Sequence, residues 1–270
     1  MKKLPSKVLI RGAGDLASGT AHRLWQAGFD IVMLELPQPL VVRRSVSFAS
    51  AVYEGSASIE GVEARCCRGI EEADRIGDLL RKRIIPVFID PDGKLIHIYQ
   101  PDVLVDAILA KRNTGTSIGD APVVIGLGPG FTAGEDVHAV IETKRGHDLG
   151  RVIYDGSAAP NTGVPGDIAG YALERVLRAP AGGIFNTSKK IGDLVEKGET
   201  VAAVNDVPVK AAISGVIRGL LYPGLEVKPG YKIGDIDPRG EEIDVYTISD
   251  KARAIGGGVL EAILYLSQNK

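Results

Sequence analysis

The stretch Val8–Leu24, VLIRGAGDLASGTAHRL, decides how the first half of the chain is read. A short β-branched run stops at Gly12, and an amphipathic helical pattern begins after Gly14. Gly12, Gly14 and Ala17 stand as Gly-x-Gly-x-x-Ala between strand and helix, the arrangement of a dinucleotide-binding turn. Gly12 permits the tight turn, Gly14 lets a pyrophosphate approach the backbone, and Ala17 lets helix and strand pack closely. The helix start supplies amide donors for an anion. Glu35 closes the next β-run, IVMLE, where a carboxylate accepts from a ribose hydroxyl. Asp15 departs from this scheme: it suits the helix dipole but repels a phosphate. It is therefore read as facing a ribose, a metal or a reacting group. Arg43 and Arg44, after the second strand, are read as a helix start or as partners of an additional phosphate.

Working outward, VEARCC (62–67), PVFID (86–90), VLVDA (103–107) and VVIGLG (123–128) are further short apolar runs between helical patterns. The stretch 103–110 also admits a helix. This alternation predicts an α/β fold, a Rossmann-like doubly wound parallel sheet. The run IGLGPGFTAGEDVH gives a second Gly-rich loop after a strand. Gly126, Gly128 and Gly130 are candidates for a second anion cradle. Glu135, Asp136 and His138 follow closely and are candidates for metal binding or acid–base work, with a plain polar turn as the alternative. VHAVIET and RVIYDG read as a hairpin, SAAPNTGVPGDIAG as a long functional loop or lid, and GYALERVLR as helical.

A different pattern fills residues 178–237. Shifted by 32 residues, APAGGIFNTSKKIGDLVEKGETVAAV lands on AAISGVIRGLLYPGLEVKPGYKIGDI, with Gly183 on Gly215, Gly192 on Gly224, Gly198 on Gly230 and Val204 on Ile236. Two halves too small to fold alone are expected to interlock about a pseudo-twofold axis. The pattern is similar to the barrel-sandwich hybrid of biotinyl and lipoyl carriers. Those carriers hold a lysine on the turn between the halves. Here that turn is Val204-Asn205-Asp206-Val207-Pro208, and Lys210 lies beyond it, so a docking or structural module is expected rather than a swinging arm. The expected domains are 1–177 (nucleotide-binding α/β), 178–240 (the repeat module) and 241–270 (a C-terminal helix packing back on the α/β domain).

Of the 270 residues 44% are hydrophobic and 24% charged, an ordinary globular composition. A formal net charge of −2 gives no electrostatic footprint for nucleic acid. No apolar run reaches the length of a membrane span, and the N-terminal run is broken at Arg11. The only two cysteines, Cys66 and Cys67, are adjacent, which makes no disulfide framework and is read with a reducing, cytoplasmic setting. They end a buried strand and are expected to be small hydrophobes. His22 is expected to pack, His97 to lie on the exposed face of a strand, and His147 in a turn. No metal site is assigned. Tyr-x-x-x-Lys, Cys-x-x-Cys, His-Glu-x-x-His, Gly-x-Ser-x-Gly and a P-loop are all absent.

Together, GAGDLASGTAHRL, RRSVSFASAVYEG, IGLGPGFTAGEDVHAVIETKRGHDLGRV, NTGVPG, KIGDIDPR and ISDKARAIGGGVLEAIL resemble the selenium-dependent molybdenum hydroxylase maturation family, YqeB type, over nearly the whole chain. A fainter resemblance links Gly12-Ala13-Gly14 and Gly256-Gly257-Gly258-Val259-Leu260-Glu261 to xanthine dehydrogenase accessory proteins, which carry a cysteine where Val259 stands. The resemblance implies an accessory protein for a molybdenum hydroxylase, with a hydroxylase subunit or another maturation protein as partner. It also implies a nucleotide-containing cofactor, molybdopterin cytosine dinucleotide or NAD(P), along Gly12, Gly14, Ala17, Glu35 and Gly126–Gly130. Asp15, Asp136 and His138 are the residues to change first in a search for catalysis. An NAD(P)-dependent oxidoreductase and a non-catalytic docking scaffold remain the alternatives, and a homo-oligomer is open.

Overall fold

Strand runs that are apolar at successive positions must be covered on both faces, and the computed structural model, which describes residues 5–161, 163 and 166–268, shows how this chain covers them. The chain divides into two units. Unit 1 comprises the residues up to Pro39, Val46–Asn161 and the residues from Ile248 on; unit 2 comprises Leu40–Ser45 and the stretch between Asn161 and Ile248.

Unit 1 is built in the order β1 (Lys7–Arg11), α1 (Asp15–Gln26), β2 (Asp30–Glu35), α2 (Ala51–Glu54), β3 (Ser56–Ile59), β4 (Val62–Cys67), α3 (Ile76–Arg81), β5 (Ile85–Ile89), α4 (Leu95–Tyr99), β6 (Val103–Asp106), β7 (Val123–Leu127), β8 (Thr132–Ala133), β9 (Ala139–Ile141), β10 (Val152–Ile153) and β11 (Gly156–Ser157). After unit 2 in sequence, α5 (Asp250–Gln268) completes it. Nine strands form one sheet in the order β10-β9-β7-β6-β1-β2-β5-β4-β3. The inner pairs are parallel, whereas β3 on β4 and β10 on β9 are antiparallel.

The expected doubly wound parallel sheet is corrected on this point. The sheet is mixed, and no helix lies between β6 and β7 or between β7 and β9. Those connections are rich in Gly, Ser, Thr and Pro and lack a helical period. The cover they do not supply comes from α5, which packs on β7, β9 and β10 as well as on α1. Leu9, Val32, Leu34, Phe88, Leu104, Val124 and Val140 make the opposite face, covered by Ile76 and Leu79 of α3, Leu95 and Ile96 of α4, and Phe131.

The three consecutive glycines of α5 are explained by close packing. A Cβ on Gly256 would stand 3.1 Å from the Gly19 carbonyl oxygen of α1, and one on Gly258 would stand 2.1 Å from the Gly150 carbonyl oxygen. Gly257 faces open space. Gly19 meets Ile248 and Ala252 while Gly256 meets Thr20 and Arg23, so α1 and α5 run in the same direction and start at the same end of the sheet.

Unit 2 holds β12 (Val176–Arg178), β13 (Gly183–Asn186), β14 (Leu194–Val195), β15 (Thr200–Val204), β16 (Val207–Lys210), β17 (Gly215–Leu220), β18 (Glu226–Val227) and β19 (Lys232–Asp237). They form two four-stranded antiparallel sheets, β12-β19-β17-β14 and β16-β15-β13-β18. The offset of 32 residues carries β12, β13, β14 and β15 onto β16, β17, β18 and β19. Exchanging the two halves converts one sheet's strand order into the other's. Matched pairs such as Phe185 and Ile217, Val195 and Val227, Val201 and Ile233, and Val204 and Ile236 are buried. Gly183 and Gly215 take φ of +146 and +154, a conformation that any side chain would strain. The expectation of a biotinyl/lipoyl-like barrel-sandwich hybrid is corrected: unit 2 is this pair of four-stranded antiparallel sheets.

Two local expectations are also corrected. GYALERVLR is not a helix. Ile168 bridges Tyr171, and Val176–Arg178 is β12, because Arg175 turns inward to Asp235. His97 lies in α4 rather than on a strand; Asp90 Oδ2 accepts the Leu95 amide at 2.8 Å and starts that turn. Of the loop read as a lid, Thr162, Val164 and Pro165 lie outside the described residues.

In β19, Asp237 is fully buried and accepts from Arg239 at 2.8 and 2.9 Å. Burial pushes its carboxyl up, but the Arg239 hydrogen bonds and the charges of Arg239 and Arg218 outweigh that and leave it below the usual carboxylate range. Its contribution is therefore present above the unfolded carboxylate value of about 3.9 and lost as pH falls through the lower folded value. Urea melts from pH 5 downward are expected to show stability falling with pH, with the fall shallower in Asp237→Asn.

Candidate functional site

The carboxyl ends of β1, β6 and β7 are where an open α/β sheet binds ligands. Gly12 takes φ of +93, and a Cβ there would lie 3.0 Å from the Ala107 carbonyl oxygen, so the turn after β1 rests against the segment after β6. Ala13 is tied on both sides. Its amide donates to Glu35 Oε2 at 2.9 Å, and its carbonyl accepts from the Ala49 amide and the Ser18 hydroxyl. Gly14 is the N-cap of α1 and brings no side chain to it, which leaves first-turn amides for an anion. Ala17 is buried against the strand.

Glu35 holds this turn together. Its other oxygen accepts the Leu36 amide at 2.8 Å; burial pushes its carboxyl up and the two amides pull it back. The segment after β6 is strained and anchored. Leu109 and Lys111 are left-handed at φ of +60 and +64 without being glycine. Below them Arg11, Asp106 and Thr116 form a buried hydrogen-bonded trio, with Thr116 donating to Asp106 at 2.6 Å. Above them Gly130 approaches the Arg112 backbone so closely that a Cβ would meet its amide nitrogen at 2.7 Å.

Because α1 and α5 start together, Lys251 in the first turn of α5 lies in the electrostatic field of Asp15 in the first turn of α1. Burial lowers the Lys251 ammonium, the Lys111 and Arg145 cations lower it further, and Asp15 and Glu142 pull it back up. Burial also lowers Lys111. Arg145 is bound to Asp250 at 2.8 and 3.2 Å, and Glu142, itself buried, accepts the Lys144 and Ala159 amides. Lys251 thus has two cations, Lys111 and Arg145, acting against it and two carboxylates, Asp15 and Glu142, acting for it, at the start of α5. A lysine in a helix's first turn opposes the dipole, and this one has a second lysine beside it. The arrangement costs stability.

The residues singled out in sequence fall into separate groups. Gly12, Gly14, Asp15, Ala17 and Glu35 do share the β1–α1 turn. In the second loop, Gly126 packs under the Phe131 ring and Gly128 against Thr143, so these glycines have partners within the chain. Asp136 accepts the Thr132 amide at 2.8 Å, and His138 Nδ1 accepts the Val124 amide at 3.0 Å at the amino end of β7. Neither belongs to the group around Lys251. Glu135 is exposed. No set of three metal-ligating side chains occurs among the described residues. Arg43 and Arg44 belong to unit 2 and bond the Thr247 and Leu220 carbonyls. Cys66 and Cys67 are free, and burial raises both thiols, Cys67 to about 11, which leaves little thiolate. His22 is buried 3.8 Å from Glu60. Sequence reading missed Lys111, Arg145 and Lys251. A lysine placed against the dipole at the start of ISDKARAIGGG was the one available signal.

Comparison with known proteins adds a relative. No family model matches the chain. Over 259 residues, 96% of the chain, it is 55% identical to a protein of Escherichia coli (strain K12) named uncharacterized protein YqeB. The chain is a YqeB-like sequence. It spans about half the length of that relative, 47% of it. Among the described residues no helix is long and apolar enough to cross a membrane. Comparison with solved structures returns an aspartoacylase family protein from Mesorhizobium loti, at 9% identity and a TM-score of 0.28 over 87% of this chain and 85% of that one. A succinylglutamate desuccinylase/aspartoacylase from Rhodobacter sphaeroides matches at 15% identity and 0.27, over 86% and 85%. Likeness at this level assigns neither fold nor activity to the YqeB-like chain.

Proposed function

We propose that the YqeB-like chain binds a phosphate-bearing nucleotide cofactor at the paired starts of α1 and α5, as an accessory protein in the maturation of a selenium-dependent molybdenum hydroxylase. The observation that carries the binding half is Lys251 in the first turn of α5, in the field of Asp15 in the first turn of α1, with the two helices starting together. A pyrophosphate takes the first-turn amides of α1 and neutralises Lys251, and Asp15 is left to accept from a sugar hydroxyl. The maturation half rests on the sequence resemblance. Molybdopterin cytosine dinucleotide is the first candidate ligand, NAD(P) the second, and a hydroxylase subunit the proposed recipient.

Thermal unfolding against CTP, molybdopterin cytosine dinucleotide and the oxidised and reduced nicotinamide dinucleotides tests this reading. A ligand at 100 times its Kd stabilises by about 2.7 kcal/mol, a shift of several degrees. Lys251→Met is expected to weaken binding by about 10- to 100-fold, the worth of one charge-assisted hydrogen bond. Because burial lowers Lys251, affinity falls as pH rises through its lowered value, before an ordinary lysine would deprotonate, and Lys251→Arg flattens that fall. A panel without any shift defeats the binding reading. A shift confined to the nicotinamide dinucleotides defeats the choice of cofactor.

A further inference from the structure

Unit 2 carries a comparison within itself. The repeat places Leu194, on the edge strand β14, where Glu226 stands on the edge strand β18. Glu226 guards its edge in the usual way, since a charged side chain discourages pairing with another strand. Leu194 does the opposite: it is 52% exposed, and Tyr246 beside it is 58% exposed. They border a groove of about 540 Å³. Its apolar lining includes Leu194, Ile243 and Tyr246, its charged lining is Asp193, Glu241 and Asp244, and no lysine or arginine lines it.

The groove is held open by its own hydrogen bonds. The Tyr246 hydroxyl donates to the Ile191 carbonyl at 2.8 Å, and Asp244 Oδ1 accepts the Tyr246 amide at 2.7 Å. The Asp193 carbonyl accepts the Ile217 amide at 2.9 Å, so ladder alternation turns the amide and carbonyl of Leu194 toward the open side. One place thus offers an open backbone edge, an apolar lining and carboxylates of a single sign.

We infer that this edge docks an extended segment of a partner protein in which large apolar residues alternate with Lys or Arg. The segment adds a strand to β14, sets its apolar side chains against Leu194, Ile243 and Tyr246, and brings its cations to Asp193, Glu241 and Asp244. A second copy of the chain is the poorer occupant, because each copy would bring the same carboxylates. The inference rests on unit 2 alone and is independent of the cofactor reading.

Fluorescence anisotropy with three labelled peptides of equal length tests it: alternating Leu-Lys, alternating Leu-Glu and alternating Ser-Lys. Saturable binding of the Leu-Lys peptide alone is expected at physiological salt. Leu194→Glu, which imports the residue of the matched position and so keeps the fold, is expected to weaken it about 10-fold or more, as is the double variant Glu241→Lys, Asp244→Lys. Ile184→Glu makes the same charge change at an exposed position outside the groove and is expected to leave affinity within about 2-fold. Thermal melts of all variants check folding. Absence of Leu-Lys binding, equal binding of Ser-Lys, or equal loss in Ile184→Glu overturns the proposal. So does a dimer of the chain that dissociates in Leu194→Glu.

Discussion

Asp235→Ala is expected to cost unit 2 about 3–5 kcal/mol, the cost of leaving a buried cation without its partner. Asp235 lies in β19 at 2% exposure. One oxygen accepts from Arg175 at 2.5 Å, and the other lies 3.5 Å from Arg218. Arg175 is itself buried, and its Nε donates to the Gly166 carbonyl at 3.3 Å. Removing the carboxylate strands that guanidinium in the interior between β12 and β19. The unfolding transition of the four-stranded sheets is expected to fall by more than about 10 °C. The double variant Arg175→Met, Asp235→Leu removes both charges and fills the space, and is expected to recover most of the loss. A double variant as unstable as Asp235→Ala would mean that shape, not the uncompensated charge, sets the cost.

Gly258→Ala is expected to be nearly as damaging in unit 1, although alanine is the better helix former. The added Cβ would stand 2.1 Å from the Gly150 carbonyl oxygen, and that neighbour is backbone. Gly150 cannot yield easily, since its own missing Cβ faces the Ala254 carbonyl oxygen at 2.6 Å. Either α5 lifts from β9 and β10 or the turn between those strands distorts, at about 3 kcal/mol or slightly more. Gly257→Ala, one residue earlier and facing open space, is expected to stabilise by up to about 1 kcal/mol through helix propensity. Opposite signs at adjacent positions, read by thermal melts of the two variants, are the signature of close packing. Equal effects would refute it.

The sequence revealed whatever was encoded by neighbours along the chain. The β1–α1 turn announced itself because strand, glycines and helix are contiguous. The repeat was visible because glycines and buried apolar residues recur at one fixed offset in both halves. Long-range effects stayed hidden. Nothing local in β6 to β9 says that α5 will cover those strands in place of crossover helices, so the sheet was expected to be doubly wound. Nothing local in GYALERVLR says that Arg175 will be drawn to Asp235, which overrides a helical period. The three cations Lys111, Arg145 and Lys251 were missed for the same reason: they come from three distant segments, and each alone looks like a solvated surface charge. Glu35 and Asp15 were legible as members of the turn. That Glu35 spends both oxygens on backbone amides was not.

The place of α5 in the chain sets an order of events during synthesis. Unit 1 begins with β1 and α1 but cannot cover the α1 face until α5 appears, after all of unit 2 has been made. Until then Gly19 and the strands β7 and β9 present bare surface at the ribosome. The repeat closes first, since its pairings are complete by Asp237. A nascent chain halted before Ile248 would therefore carry finished β-sheets and an open α/β half, the species most in need of a chaperone.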